Sequence, residues 1–264
     1  MALTSFDPGF VGAAKQYLSL MKTASRTAIA AAWYSVFDLA GNPGAGVLAG
    51  TSTAAGVVPT DATAGCPTID AFGGGATGYL MQVDFGSSVA CRLKLFDMVF
   101  KAGAYAFNAN TALAAQPSYV GRMPGGSYGD TQLWIEAVTA FTGNPTFTIT
   151  YTNQSGTAGR TATLAAGLAP AIGRMMQISL QAGDTGIQKV DNVASTVATV
   201  GTFNALVLRP LWSGRVRIAN DGDVHDAAKT AIPVLFADSA LVIAVCPDST
   251  ATGIPEIELV IANG

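Results

Sequence analysis

Few residues in this chain could carry chemistry. Gly125-Gly126-Ser127-Tyr128-Gly129 matches the G-x-S-x-G string in which a serine nucleophile sits on a sharp turn between a strand and a helix. Here the string follows Arg122-Met123-Pro124 and runs into an apolar, strand-like stretch at 132–141, so the context of a nucleophile elbow is missing. A hydrolase would also need a base, and His225 is the single histidine among 264 residues. A glycine-rich loop is the better reading, and no catalytic residue is assigned.

The densest group of oxygen and nitrogen ligands is Asn220-Asp221-Gly222-Asp223-Val224-His225-Asp226. In an extended chain Asp221, Asp223 and His225 share one face, which could hold a divalent ion. The spacing departs from the calcium loop, which has further acidic positions and a glutamate at its twelfth residue. An Asp-Gly turn with solvated charges accounts for the string. Asp221, Asp223 and His225 therefore stand only as candidates, and no metal or other cofactor is expected. The three glutamates are Glu136, Glu256 and Glu258. The last two form one polar face of a run whose other face is Ile257, Leu259 and Ile261. Gly156-Thr157-Ala158-Gly159-Arg160-Thr161 lacks the lysine of a phosphate-binding loop. Trp33, Trp134 and Trp212, with Tyr79, Tyr105 and Tyr151, could line a sugar-binding face, although isolated aromatics in strands more often fill cores. The expectation is a protein that is not an enzyme.

Composition points the same way. Charged residues make up 12% of the chain, against about 25% in an ordinary soluble domain. The formal net charge is only −3 and half the residues are apolar. So little charge favours association over colloidal repulsion, and much of the surface is expected to meet other protein. The 14 lysines and arginines are scattered, the tightest grouping being Arg215 and Arg217 with Arg209 nearby. That is a poor footprint for nucleic acid. The most apolar stretch, 28–39, is interrupted by Asp38 and falls short of the ~20 residues of a membrane span. No secretory signal is visible in MALTSFDPGF. Cys66, Cys91 and Cys246 have no metal-binding spacing and read as small buried hydrophobes.

The elements that must position these residues are mostly strands. Near the start, Asp7 and Pro8 supply a cap and a first helical position, and Phe10, Ala14, Tyr17, Leu18 and Met21 recur at helical spacing. The spacing predicts a helix over 8–22. Its sticky face makes Phe10, Tyr17, Leu18 and Met21 interface candidates, either within the domain or on a neighbouring subunit. Residues 23–78 are rich in glycine and proline and read as an extended arm with short strands, the best at 33–39. From residue 79 onward strand-like runs alternate with turn residues, most clearly in Thr146-Phe147-Thr148-Ile149-Thr150-Tyr151. The expected fold is all-β, a β-sandwich or jelly-roll-like domain over 79–264, preceded by the helix and extended arm of 1–78. Gly143-Asn144-Pro145 and Asn153-Gln154-Ser155-Gly156 are expected to join consecutive hairpins.

Several strings carry a family likeness: Gly41-Asn42-Pro43-Gly44-Ala45-Gly46, Val58-Pro59-Thr60-Asp61-Ala62-Thr63-Ala64-Gly65, Phe100-Lys101-Ala102-Gly103-Ala104-Tyr105, Gln132-Leu133-Trp134-Ile135-Glu136, Thr150-Tyr151-Thr152-Asn153-Gln154 and Leu180-Gln181-Ala182-Gly183-Asp184-Thr185-Gly186. With them the chain resembles structural proteins encoded in tailed-bacteriophage and prophage genomes. The resemblance is one of style and short phrases over most of the chain, with no catalytic motif to carry across. It implies a virion component assembled in the host bacterial cytoplasm, and among such components a capsid decoration or cement protein. Its partners would be copies of itself, by analogy a trimer, and the major capsid protein or other virion proteins, with no nucleic acid and no membrane. The alternative is a tail or baseplate component, including a receptor- or glycan-binding module.

Overall fold

The computed structural model describes residues 12–73, 77–167, 169–196 and 200–264, and among them antiparallel strands dominate. The centre is a barrel. Strands β2 (Trp33–Ser35), β6 (Cys91–Ala106), β8 (Gln132–Thr139), β11 (Arg174–Ile178), β13 (Thr202–Val216) and β16 (Leu241–Pro247) pair in the order β13-β8-β11-β2-β16-β6. β6 then pairs back onto β13 from Cys91↔Val216 to Ala106↔Thr202, which closes the sheet. β4 (Ser52–Val57) lies on β6 outside the ring.

Two further sheets flank the barrel. One contains β1 (Lys15–Lys22), β3 (Gly41–Asn42), β5 (Gly78–Ser87), β14 (Asp221–His225), β15 (Val234–Leu235) and β17 (Pro255–Asn263), in the order β14-β5-β17-β1-β3 with β15 also on β5. The other contains β7 (Asn110–Ala112), β9 (Thr146–Asn153), β10 (Arg160–Ala165) and β12 (Ile187–Thr196), in the order β10-β9-β12-β7.

The barrel strands are apolar on both faces because both faces are covered. On β8, Leu133, Ile135 and Ala137 pack outward with Phe147, Ile149 and Tyr151 of β9, while Trp134 points inward to Phe96, Met98, Leu206 and Leu208. On β6, Leu93 and Leu95 pack instead against Val83, Phe85, Ile257 and Leu259 of the β5/β17 sheet. Each fully buried side chain of this size contributes about 1.5–3 kcal/mol, which explains why the chain can do without disulfides. The three cysteines are free and buried. Burial pushes the Cys66 thiol up to about 12 and the Cys91 thiol to about 11.

The all-β, sandwich-like expectation holds, and the helix expected over 8–22 is overturned over 15–22. Residues 8–11 lie outside the described residues, and Lys15–Lys22 is a strand paired antiparallel with β17 from Lys15↔Ala262 to Met21↔Glu256. Leu20 and Lys22 face the interior while Tyr17 and Met21 face out, a period of two. Pairing with a strand some 240 positions away outweighs a local cap signal, because a short amphipathic helix is marginal without tertiary support. The stretch 23–78, expected as an extended arm, contributes β2 to the barrel wall and β3 to the β5/β17 sheet. Gly143-Asn144-Pro145 connects β8 to β9 across two different sheets and so closes no hairpin, whereas Asn153–Gly156 does join the paired strands β9 and β10.

Candidate functional site

The residues singled out for enzyme chemistry are not brought together. Pro124–Gly126 forms a single 3-10 turn with Gly125 at φ 63° and Gly126 at φ 68°. Ser127 follows it in extended conformation, exposed, its Oγ accepting a weak bond from the Gly129 N–H at 3.4 Å. The neighbouring Tyr128 packs on Tyr119 in the core under the β9/β12 sheet. His225 belongs to the opposite layer. Its Nδ1 accepts a hydrogen bond from Trp212 Nε1 at 2.9 Å and its ring stands edge-on to Phe85. The exposed serine and the imidazole packed on Phe85 and Trp212 thus stand apart.

Asp221, Asp223 and His225 do share one face, that of edge strand β14, as extended spacing required. Asp223 Oδ2 lies 3.8 Å from His225 Nε2, but Asp221 Oδ1 and Asp223 Oδ1 accept from the N–H groups of Gly222 and Val224. Among the described residues no three such groups converge on a point that would hold a metal ion. Of the interface candidates, Tyr17 is 75% exposed and Met21 39%, Leu18 packs against the core, and Phe10 lies outside the described residues. Among the described residues no helix is long and apolar enough to cross a membrane.

The glutamates part company. Glu136 is buried inside the barrel, where its Oε2 accepts from Asn204 Nδ2 at 2.7 Å and Lys101 stands nearby. Desolvation raises its pKa against the pull of Lys101, and desolvation likewise lowers that of Lys101. Glu256 and Glu258 sit exposed on the outer face of the β5/β17 sheet. The aromatic face proposed for a sugar does not exist as such: Trp134, Tyr105 and Tyr151 are fully buried and Trp212 nearly so.

Two charged constellations escaped sequence reading. The first is sealed. Asp97 of β6 is fully buried and accepts from the guanidinium of Arg122, from Arg209 Nη2 at 3.0 Å, from Ser239 Oγ at 3.0 Å and from the Ala240 N–H at 3.0 Å. Arg122 also donates to the carbonyls of Pro59 and Met98, and Arg209 to that of Val234. The second lies at the opposite reach of the same two strands, at the barrel mouth. There the Lys94 ammonium stands 4.9 Å from the Trp33 ring centroid, 5.2 Å from that of Trp134 and 5.8 Å from that of Phe96. Such contacts hold a cation at the face of an aromatic ring. Burial lowers the Lys94 pKa. Around it Trp33, Arg92, Arg215 and Arg217 line a groove of about 440 Å³. The signal in the sequence was the i, i+2 spacing of Arg92 with Lys94 and of Arg215 with Arg217. That the two pairs meet depends on the β6–β13 register.

No family model matches the chain, and no curated protein matches it. Among solved structures, a structure of the infectious bursal disease virus Gx strain aligns at 10% identity over 94% of this chain and 80% of that chain, with a TM-score of 0.18. A mutant VP2 protein of infectious bursal disease virus, from derived T=1 particles, aligns at 9% identity over 95% and 77%, with a TM-score of 0.15. Scores of this size carry no argument about fold or function.

Proposed function

We infer that the chain is a virion structural protein that works by packing against copies of itself and against neighbouring virion proteins, in the manner of a capsid decoration or cement protein of a tailed phage. The observation that supports this reading is the outer face of the β9/β12 sheet. Thr146, Thr148 and Thr150 of β9 are flanked in register by Ala165, Thr163 and Thr161 of β10 and by Thr196, Ala194 and Asn192 of β12. None of these positions ionises, and the charges beside them on this face, Lys189 and Asp191, lie at its Thr152 end and pair with each other, where a surface facing only water ordinarily mixes charges of both signs throughout. A flat neutral face can meet another protein without stripping water from ions, which is the costly step in closing an interface. Among the described residues β10, at the edge of this sheet, pairs only with β9, and it has no proline to block a further strand.

The role is mechanical: the barrel and its two covering sheets supply a rigid unit, and its outer faces tie neighbours together, by analogy around a three-fold axis. A glycan-binding module at the tail would need several exposed aromatics in a groove, and of the six candidates Trp134, Tyr105, Tyr151 and Trp212 are buried while Trp33 alone lines the groove at the mouth. The test is light scattering after size-exclusion chromatography, together with binding to intact capsids. An oligomer that binds capsids is expected, and Thr148→Arg with Thr163→Arg, which face each other across the sheet, should disrupt assembly while circular dichroism stays unchanged. A dilute, stable monomer indifferent to capsids would overturn the reading.

A further inference from the structure

The neutral plate cannot be the whole of a subunit contact. Four strands at ~4.8 Å spacing and eight residues at ~3.3 Å rise present at most about 500 Å², short of the ~800 Å² per partner of a standard stable interface. A second contact surface is needed, and the barrel mouth has the features of one. Arg92 and Lys94 lie on one face of β6, and Arg215 stands directly opposite Arg92 on β13. Arg217 follows two residues on, and a neighbouring hollow of about 380 Å³ shares Lys94 and adds Lys229. Five of the 14 cations of a chain with net charge −3 gather here. They are poorly answered. Arg215 reaches Asp248 only at 3.6 Å with both side chains largely exposed. Arg92, Lys94 and Arg217 form no ion pair among the described residues. Like charges directly opposite on paired strands are destabilising, so the isolated subunit holds a repulsion that a bound anion would relieve.

The same molecule carries the complementary pattern elsewhere. On the outer face of the β5/β17 sheet, Glu258 stands directly opposite Asp84, and Glu256 lies two residues along β17. All three are exposed. On the other side β1 opposes them with Ser19 and Met21, so no cation answers across the strands. The acidic row has two charges along one strand, ~6.6 Å apart, and a third across at ~5 Å, and at the mouth Lys94, Arg92 and Arg215 repeat that spacing, with Arg217 beyond them. We propose that the barrel mouth of one copy receives the row Asp84, Glu256 and Glu258 of a second copy. The inference rests on the assembly reading and names a partner surface for it. The two patches differ, so the contact is heterologous, and successive copies close into a ring or extend as a filament. Asp223 and His225 also line the groove at the mouth, so four cations there stand against one carboxylate.

Two charge reversals test this. Arg92→Glu with Arg215→Glu makes the mouth acidic; Asp84→Lys with Glu258→Lys makes the row basic. All four positions are exposed, and thermal unfolding of each variant checks the fold. Followed by sedimentation velocity, each variant alone should associate at least about tenfold more weakly than the unmodified chain, given the coupling of close interfacial charge pairs. An equimolar mixture of the two should recover association, as a ring or filament of alternating variants, since the reversed mouth fits the reversed row and the unaltered mouth fits the unaltered row. If both variants assemble like the unmodified chain, the docking is wrong and the assembly reading stands. If the unmodified chain is monomeric throughout, both fall. Loss of association in the mouth variant alone, or tight binding of single-stranded DNA by the unmodified chain, would overturn the assignment of a second copy as occupant.

Discussion

Strands β6 and β13 each carry charge at two places, and the two places obey different rules. Toward the middle, Asp97 and Arg209 face each other in register and are closed off from water; at the mouth, Arg92 and Arg215 face each other and are open to it. In the interior every oxygen of Asp97 is used, by two guanidiniums, a hydroxyl and a main-chain N–H. Burying charge is expensive and is tolerated when partners with good geometry surround it. At the mouth water does the solvating, so a mismatch survives at small cost. The chain therefore answers both oxygens of its buried carboxylate where solvent is absent, although Arg122 Nε and Arg209 Nε find no acceptor among the described residues, and leaves the mouth cations poorly paired where water reaches them.

This contrast can be broken at its strong end first. Asp97→Ala removes the acceptor shared by Arg122, Arg209, Ser239 and Ala240 and leaves two buried guanidiniums without a counter-ion. Urea unfolding should show a loss of about 3–5 kcal/mol; a loss below 1 kcal/mol would mean that the cluster contributes little to holding the barrel. At the mouth the sign reverses. Arg92→Ser removes one of two opposed cations and should leave the isolated subunit unchanged or stabilise it by about 0.2–1 kcal/mol. A marked fall in melting temperature would show that Arg92 is needed for the fold rather than for a partner.

The smallest effect is expected at a third ionic group, confined to acid. Asp184 is held down to about 2, first by the Arg160 guanidinium at 2.8 Å and then by Tyr151 and Asn153. Because its folded pKa is depressed, its contribution is present above the ordinary carboxylate range near ~4 and is lost as pH falls from there toward 2. The melting temperature should drop over that window, and Asp184→Asn should flatten the drop. An unchanged profile in the variant would assign the acid sensitivity elsewhere.

How much of this was legible in the sequence depends on range. Alternation in β9 is local, and it correctly placed Phe147, Ile149 and Tyr151 inward and the threonines outward. The strands of the barrel wall were recognisable as apolar runs, but nothing local said that they close on themselves, since closure is a matter of β6 meeting β13 about a hundred residues away. β1 was misread because Tyr17, Leu18 and Met21 fit a helical period as well as Leu20 and Lys22 fit a strand, and only the β17 partner decides between them. The mouth was hidden for the same reason: Arg92 and Arg215 look solitary until the register sets them face to face. Arg209, grouped with Arg215 and Arg217 by proximity along the chain, turns out to belong to the sealed cluster.

The place of β17 has a consequence for biosynthesis. It lies between β5 and β1, so until residues 255–263 have left the ribosome those two earlier strands face a gap about 10 Å wide. The acidic row spans that same seam, Asp84 on one side and Glu256 with Glu258 on the other. A nascent chain therefore cannot present this acidic row as a finished surface until β17 has emerged and paired with both of its neighbours.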